Sequence, residues 1–425
     1  MRALRLILAL SGILTGALLP GSGPARAAMA PLFPQAVIEP TGFADLPGWA
    51  QDDHAKAFAA FRRSCGSIAR KGDLVTPSRP VFAALRPICA RAARLPKNIS
   101  DQKAQAFFEK EFRPYTIAAL EQANGFLTGY YESEVEGSRI RSGEFATPLY
   151  ARPGDLVIES PPGGGPPTNK SGAFRKVEGK LVPYHDRAAI EDGALGDQGR
   201  VVAWIRDPAD AFFAHIQGSV RVRLPDGEVL RLNYDGHNGQ PYTPIGRLLI
   251  ERGLVPREKM SMDAIRAYIA AHPPEGRELM RQNRSYIFFR IAHELKPDDG
   301  AVGAQGLPLM AGRSIAVDKA IHVYGTPFYL DAALPTGLEG ASEPFERLMI
   351  AQDTGSAIIG PARADIFFGA GTQAGTVAGR IQHPGRFTLL LPRALDPARA
   401  RVPLPKPRPA QAPRALLPAA VSETP

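Results

Sequence analysis

Residues 347–369 read RLMIAQDTGSAIIGPARADIFFG, and this stretch carries the strongest signal for both fold and chemistry. Asp353 closes one apolar run and Asp365 opens the next, with glycines between them. A carboxyl bordered by apolar groups has its pKa raised by desolvation, so it can stay protonated near neutral pH and act as a general acid. The alternative is that both are turn aspartates that bond nearby backbone amides. Spacing alone leaves both interpretations open.

The block around this stretch, residues 300–393, is divided into short apolar runs by glycine and proline. Six candidate strands follow from these runs: 314–318, 327–331, 346–353, 364–368, 375–381 and 386–391. Six short strands with glycine at their corners are typical of a small closed barrel. The C-terminal part of the chain is therefore predicted to be mainly β.

The N-terminal part has a helical periodicity instead. Apolar residues at steps of three and four predict helices over 51–70, 81–94 and 101–112. Cys65 and Cys89, the only two cysteines in the sequence, fall on the apolar faces of the first two helices. In an oxidising compartment we expect a disulfide between them. Two unpaired buried thiols are the alternative.

Between these two regions, strands alternate with turns and a few helices. The expected strands are 125–132, 201–206, 219–224, 229–233 and 285–290. Asp226-Gly227 is a strong hairpin signal between two of them. Helices are expected over 260–271 and 275–283, and the Gly- and Pro-rich run 161–167 predicts a surface loop.

The two ends of the chain differ from its body. Residues 1–27 combine early arginines, an apolar stretch and Ala25-Arg26-Ala27, which is the pattern of a signal peptide. No cysteine lies near this cleavage site, so the sequence has no lipobox and we expect export to the periplasm as a soluble protein. An uncleaved anchor helix is the alternative. Residues 401–425 are rich in proline and basic, which predicts a disordered tail.

The formal net charge of +9 mostly describes those ends. Three of these charges lie in 1–27 and three in 401–425, which leaves +3 for the body. No nucleic-acid partner is therefore predicted. The eight histidines are scattered, and His293-Glu294 lacks the second histidine of a zinc-protease helix. The sequence also has no Gly-Lys-Ser/Thr phosphate loop, so we expect neither a metal nor a cofactor.

Aromatic side chains beside amides and hydroxyls form a further pattern. Thr128-Gly129-Tyr130-Tyr131 lies at the change from helical to strand-rich texture, and the polar run 233–240 is followed by Tyr242. Flat rings with hydrogen-bonding neighbours suit sugars, which have apolar faces and hydroxyl edges. Tyrosines are also ordinary core residues, and this alternative holds for most of the 11.

Seven segments, taken together and in this order, resemble those of the MltA-type membrane-bound lytic murein transglycosylases. They are TGYYES (128–133), SVRVRLPDGE (219–228), NYDGHNGQPY (233–242), SMDAIRAY (261–268), RSYIFFR (284–290), GRSIAVD (312–318) and AQDTGSAIIGPARADIFFG (351–369). The resemblance covers roughly residues 125–391. Many ordered matches make it far more specific than one short motif.

The resemblance implies a mainly β fold with N-terminal helices: a double-psi β-barrel, a second β-rich domain inserted into it, and a glycan cleft between them. The first domain would comprise 31–132 and 299–395, and the inserted domain 133–298. The implied reaction is non-hydrolytic cleavage of the MurNAc–GlcNAc β-1,4 bond of peptidoglycan, which leaves a 1,6-anhydromuramoyl end. The implied partner is the peptidoglycan glycan strand, and protein partners stay unassigned.

The resemblance also assigns residues. The family's catalytic aspartate falls on Asp365, with Asp353 as a supporting acid. We expect the glycan to be bound by residues of the matched motifs, Thr128, Gly129, Tyr130, Tyr131, Ser219, Asn238, Gly239 and Gln240, and by Gly306, which lies between two of these motifs.

Two other functions compete with this one. Asp353-Thr354-Gly355-Ser356 matches the active-site loop of aspartic proteases, but such enzymes need two close aspartates and the sequence has no second Asp-Thr/Ser-Gly. A non-catalytic wall-binding protein with a degenerate barrel is the third possibility. The presence of both Asp353 and Asp365 argues against it.

Overall fold

The computed structural model describes residue 33 and residues 35–70, 80–159 and 172–396. The predicted signal peptide at 1–27, the predicted loop at 161–167 and the predicted tail at 401–425 lie outside these residues. Among the helices within the described ranges, none is long and apolar enough to cross a membrane.

Three helices open the fold where the periodicity predicts them: α1 (His54–Arg70), α2 (Pro80–Arg94) and α3 (Asp101–Glu111). Phe58, Phe61 and Ile68 of α1 are buried, because every third or fourth residue of the helix turns to the same side. Cys65 and Cys89 lie on the inward faces of α1 and α2 and form a disulfide. The first helix is therefore covalently tied to the second.

Replacing both cysteines, as Cys65→Ala/Cys89→Ala, is expected to lower the free energy of unfolding by about 3 kcal/mol. The bond links residues 24 positions apart, and closing a loop of that length restricts the unfolded chain more than the folded one. Urea denaturation of the two proteins measures the difference. A reductant should destabilise the wild type by a similar amount and leave the double variant unchanged. Equal stability of the two proteins would contradict the prediction.

The strands of the described residues are β1 (Ala36–Pro40), β2 (Phe112–Ala119), β3 (Gly125–Ser138), β4 (Thr147–Tyr150), β5 (Val157–Ile158), β6 (Ala173–Val177), β7 (Lys180–Pro183), β8 (Val201–Ile205), β9 (Ser219–Arg223), β10 (Val229–His237), β11 (Ile287–Ile291), β12 (Ser314–Val317), β13 (Pro327–Leu334), β14 (Glu343–Asp353), β15 (Arg363–Ala370) and β16 (Gln382–Pro392). The later helices are α4 (Arg187–Glu191), α5 (Pro208–Gln217), α6 (Ile245–Glu251), α7 (Met262–Ala271), α8 (Pro273–Arg281) and α9 (Gly371–Ala378). The hairpin predicted at Asp226-Gly227 is confirmed, since β9 and β10 pair antiparallel across it.

Six strands pair in a closed circuit. β3 pairs with β16, β16 with β13, β13 with β14, β14 with β12, β12 with β15, and β15 returns to β3. The β12–β14 and β15–β3 pairs are parallel, and the other four are antiparallel. Apolar side chains from these strands, among them Leu127, Ile315, Leu330, Ile366 and Leu389, are fully buried. The circuit is a closed barrel, in agreement with the mainly β fold that the sequence predicts.

The strand predicted at 375–381 is wrong, because this segment begins within helix α9. The sixth strand of the barrel is β3 instead. Thr376 and Val377 are β-branched and favour a strand by local propensity. Gly375 lets the helix pack closely, since a Cβ at this position would stand 2.7 Å from the ring of Tyr131. Tertiary packing of small residues on β3 therefore overrides the local preference.

Strand β3 belongs to two sheets in succession. Residues 125–132 pair with β15 and β16, whereas residues 133–138 pair with β9 and β8. The second sheet continues from β9 through β10 to β11, and β4 lies beyond β8. It has an apolar core of its own, which includes Leu149, Ile205, Val220, Leu232 and Phe289. The chain therefore leaves the barrel in the middle of a strand.

A buried ion-pair cluster lies where β3 changes partners. Glu132 is 1% exposed and accepts hydrogen bonds from Arg231 at 2.9 and 3.0 Å and from Arg221 at 2.8 Å. Both arginines also donate to the backbone carbonyl of Asp299, at 2.9 and 3.1 Å, where the chain returns towards the barrel. One carboxylate therefore holds together the outgoing strand, the second sheet and the returning segment.

Candidate active site

The two aspartates of the opening stretch lie in one row across the barrel. Asp353 of β14 is opposite Ala316 of β12, Ala316 is opposite Asp365 of β15, and Asp365 is opposite Thr128 of β3. Residues directly opposite on neighbouring strands have their side chains on the same face of the sheet. Neighbouring strands are about 4.8 Å apart, so the two aspartate backbones are separated by roughly 10 Å. The small side chain of Ala316 lies between them.

Asp365 has the electrostatics of an acid that holds its proton. Burial, together with a smaller contribution from the nearby charge of Asp353, raises the pKa of its carboxyl to about 6. The positive charge of Arg363 and a 2.7 Å hydrogen bond from Thr128 Oγ1 to Oδ1 oppose this shift. The partner is a side chain of the neighbouring strand, so the turn-aspartate interpretation does not describe this residue. Asp365 can therefore exist in both protonation states close to neutral pH.

Asp353 is surrounded by donors. Its Oδ1 accepts from the backbone N–H groups of Ala304 at 2.8 Å and Thr354 at 2.9 Å, and its Oδ2 accepts from the Tyr130 hydroxyl at 2.8 Å. Burial raises the pKa of this carboxyl, and the three donors act against that rise. The amide of Ala304 belongs to a tight turn in which Gly306 has φ +79°. The turn-aspartate interpretation therefore applies in part to Asp353.

Three of the predicted glycan-binding residues lie in packed interfaces. A Cβ on Gly129 would stand 2.8 Å from the Cα of Ala378, so the glycine allows α9 to approach β3. The backbone N–H of Tyr131 donates to Gln217 Oε1 at 3.0 Å, and its ring packs on α9. Ser219 is buried at the start of β9. Thr128 and Tyr130 donate hydrogen bonds to the two aspartates, and Gly306 belongs to the turn whose Ala304 amide donates to Asp353.

The other three predicted residues organise a loop. Asn238 is fully buried, and its amide group donates to the carbonyls of His185 and Arg284, both at 2.9 Å. Gly239 has φ +70°, and Gln240 Nε2 donates to the Tyr184 carbonyl at 2.9 Å. The same loop continues to Tyr242. Burial and, to a smaller extent, the charge of Asp365 raise the pKa of Tyr242 to about 12.

Sequence reasoning missed three neighbours of the aspartates. Arg363 lies two positions before Asp365 on β15, so it faces the same side, and this alternation was a usable signal. Lys319 follows β12; burial lowers its pKa, and the charge of Asp353 opposes that shift. The amide of Ala304 gave no signal, because any residue except proline can donate from its backbone. In the described part of the chain, no group of three or more His, Cys, Asp or Glu side chains could hold a metal ion.

A closed six-stranded barrel, a second sheet continued from one barrel strand, and a row containing two half-buried aspartates define a β-barrel protein with a candidate acid–base site. The family model of the 3D domain matches residues 313–391, and the model of the MltA specific insert domain matches residues 126–290. The chain belongs to the MltA family.

Solved structures and curated relatives agree with this assignment. The crystal structure of a membrane-bound lytic murein transglycosylase from Agrobacterium tumefaciens is similar with a TM-score of 0.74 and 38% identity, over 84% of this chain and 98% of that one. Escherichia coli MltA with bound chitohexaose is similar with a TM-score of 0.57 and 29% identity, over 85% and 92%. The curated membrane-bound lytic murein transglycosylase A of Escherichia coli K12 is 35% identical over 269 residues. That alignment spans 62% of this chain and 65% of the relative, just under two thirds of its length.

Proposed function

We propose that this chain is a lytic transglycosylase that cleaves the MurNAc–GlcNAc β-1,4 bond of peptidoglycan and leaves a 1,6-anhydromuramoyl end. The observation that carries the proposal is the half-buried carboxyl of Asp365, which lies on a barrel strand in one row with Asp353 and has its pKa raised to about 6. Relatives named lytic murein transglycosylase and an MltA structure with bound chitohexaose support the substrate class.

The reaction needs one principal carboxyl. Protonated Asp365 donates its proton to the glycosidic oxygen, and the bond from C1 of MurNAc to that oxygen breaks. The C6 hydroxyl of the same sugar forms the new bond to C1, and carboxylate Asp365 accepts the hydroxyl proton. Hydrolytic glycosidases need a second carboxylate to activate water or to attack the sugar. Here the nucleophile is part of the substrate, and its proximity replaces that second group.

Asp353 supports the acid without sharing its proton. Its three hydrogen-bond donors hold the carboxylate in place, and its negative charge raises the pKa of Asp365. A charge at this distance favours the protonated acid before the reaction. The same charge can stabilise positive character that develops on the sugar ring.

The glycan would lie between the barrel row and the loop that carries Tyr242. We take 31–132 and 299–395 as the first domain and 133–298 as the inserted domain, because β3 changes partners between Glu132 and Ser133. Thr128, Tyr130 and Gly306 would act at the aspartates. Gly129, Tyr131, Ser219, Asn238, Gly239 and Gln240 would shape the walls. The enzyme would act in the periplasm as an exported protein, on glycan strands and without a cofactor.

Digestion of purified sacculi tests the proposal against its two competitors. Release of soluble 1,6-anhydro-muropeptides is the expected result. Sedimentation of the protein with sacculi, without any release, would instead indicate a wall-binding protein. Cleavage of peptides with intact glycan strands would indicate an aspartic protease. The geometry favours the first outcome, because Asp353 and Asp365 lie on opposite sides of Ala316 rather than at the roughly 3 Å separation that a protease dyad needs.

The pH dependence of the reaction follows from Asp365. We expect kcat/KM for muropeptide release to fall as the pH rises through about 6, because deprotonation removes the acid that starts the reaction. Initial rates of muropeptide release from labelled sacculi across this pH range measure the fall in kcat/KM. Binding of the protein to sacculi at each pH is the control. Activity that stays constant or rises through this range would contradict the assignment.

A further inference from the structure

A chain of two hydrogen bonds ends on the carboxyl of Asp365. Arg363 Nη2 donates to Thr128 Oγ1 at 2.8 Å, and Thr128 Oγ1 is 2.7 Å from Asp365 Oδ1. Arg363 and Asp365 alternate along β15, and Thr128 lies on β3 directly opposite Asp365. The three side chains therefore share one face of the barrel.

The donor and the acceptor in each of these two hydrogen bonds follow from the chemistry of the groups. A guanidinium has N–H donors and no acceptor, so the Thr128 oxygen must accept the bond from Arg363. The hydroxyl has one proton of its own, and the carboxylate oxygen at 2.7 Å accepts it. Asp365 Oδ1 is then occupied as an acceptor. A proton on this carboxyl therefore belongs on Oδ2.

Arg363 is itself held in place. Its Nη1 donates to the backbone carbonyl of Ala364 at 2.5 Å, and its guanidinium carbon is 5.4 Å from the centre of the Phe126 ring. Burial lowers the pKa of Arg363, and the charge of Asp365 opposes that shift. Its hydrogen bonds to side chains and backbone go to Thr128 and Ala364 rather than to a carboxylate. Arg363 is therefore placed to orient the hydroxyl of Thr128 and, within the described part of the chain, does not form a surface ion pair.

We propose that Arg363 is a positioning residue that acts through Thr128: it fixes the threonine hydroxyl as a donor to Asp365 Oδ1, so the catalytic proton leaves from Oδ2. This inference rests on the proposed function, in which Asp365 is the general acid. It predicts that the hydroxyl and the guanidinium work as a unit. It also predicts which oxygen of the carboxyl faces the glycosidic bond.

Other charged groups around Asp365 bear on the test. The charge of Asp353 on β14 raises the pKa of Asp365, and the charge of Asp365 in turn raises the pKa of Tyr130 on β3 and of Tyr242 in the loop after β10. Helix α9 and strand β12 contain no titratable side chain, and Gln382 of β16 lies opposite Thr128. The variants below leave all of these groups unchanged, so a shift in the pH profile reports the two altered residues.

Thr128→Val and Arg363→Gln each remove a group that favours the ionised carboxyl, so the alkaline limb of kcat/KM should move upward by about one pH unit. We expect kcat to fall at least about tenfold with little change in KM, because a misdirected proton affects the reaction step more than binding. Thr128→Ser keeps the hydroxyl and should restore both parameters. Arg363→Lys keeps the charge but not the planar donor. Its alkaline limb should therefore stay at the wild-type pH, whereas its kcat should fall as in Arg363→Gln. Arg386→Gln, on an exposed arginine of β16, is the matched control.

A double-mutant cycle tests the coupling. If Arg363 acts through Thr128, the loss of kcat in Thr128→Val/Arg363→Gln is smaller than the product of the two single losses. The carboxyl carbon NMR shift of Asp365, assigned with Asp365→Asn, gives the same titration without turnover. The inference would be overturned if the alkaline limb of kcat/KM and the NMR titration of Asp365 stay unchanged in the variants, or if the two losses of kcat are independent. In that case an active wild type would still uphold the proposed function. A wild type that forms no anhydro products would refute the proposed function. The NMR titration would still decide whether the hydrogen bonds from Arg363 through Thr128 affect the carboxyl of Asp365.

Discussion

Asp365→Asn is expected to reduce the release of 1,6-anhydro-muropeptides from purified sacculi by at least about 10³-fold. General acid–base catalysis contributes about 10²- to 10⁴-fold, and here one group acts first as the acid and then as the base. Asparagine has nearly the same shape, and its amide oxygen can still accept the hydrogen bond from Thr128. The fold should therefore persist, and the loss should appear in kcat. Mass analysis of the soluble products measures it.

Asp331→Asn is the matched control for this substitution. Asp331 lies on barrel strand β13, and its carboxylate is 4.0 Å from Arg386 on the neighbouring strand, away from the row of Asp353 and Asp365. We expect this variant to keep nearly full activity. Both variants should sediment with sacculi as the wild type does. An Asp365→Asn protein that keeps a tenth or more of the wild-type rate would exclude Asp365 as the general acid.

The second large effect concerns stability. Glu132→Gln is expected to lower the free energy of unfolding by about 3–5 kcal/mol. Glutamine keeps the shape of the side chain but removes the charge, so the guanidinium groups of Arg221 and Arg231 lose their buried partner. The cost of an uncompensated buried charge exceeds that of the lost hydrogen bond itself. Urea or thermal denaturation of the purified proteins measures the difference.

The same strand supplies the control. Glu136 is four residues further along β3, is 65% exposed and pairs with Arg206 at 2.9 Å. An exposed ion pair contributes little, so Glu136→Gln should change the free energy of unfolding by less than about 1 kcal/mol. If the two substitutions change the free energy of unfolding equally, the ion-pair cluster at Glu132 does not stabilise the contact between the barrel and the second sheet.

Local patterns predicted most elements of the fold but not the closure of the barrel. The apolar faces of α1 and α2 and the strands around Asp353 and Asp365 follow from spacing, which is a property of adjacent residues. Closure depends on β3 pairing with β15 and β16, more than 200 residues away in sequence. The strand prediction for residues 375–381 is wrong for the same reason. Its local propensity favours a strand, whereas packing on β3 makes most of it helical.

The candidate site divides in a similar way. Asp365 and Asp353 stand out as carboxyls beside apolar runs, and their motif carries the family resemblance. The groups that determine their chemistry come from distant positions: Thr128 is 237 residues before Asp365. Asn238 also lies in a matched motif, yet its amide bonds backbone carbonyls and holds a loop. A motif therefore located the residue, whereas its role depended on neighbours that only the fold brings together.

The nature of the nucleophile is the central claim, and the products formed in heavy-oxygen water test it most directly. Wild-type protein digests sacculi in water enriched in the heavy oxygen isotope, and mass spectrometry reads the new glycan ends. We predict muropeptides that are one water molecule lighter than the hydrolysed form and contain no heavy oxygen, because the C6 hydroxyl of MurNAc attacks C1. Reducing ends that carry the heavy isotope would show attack by water, and would contradict the proposal that Asp365 catalyses an intramolecular transfer.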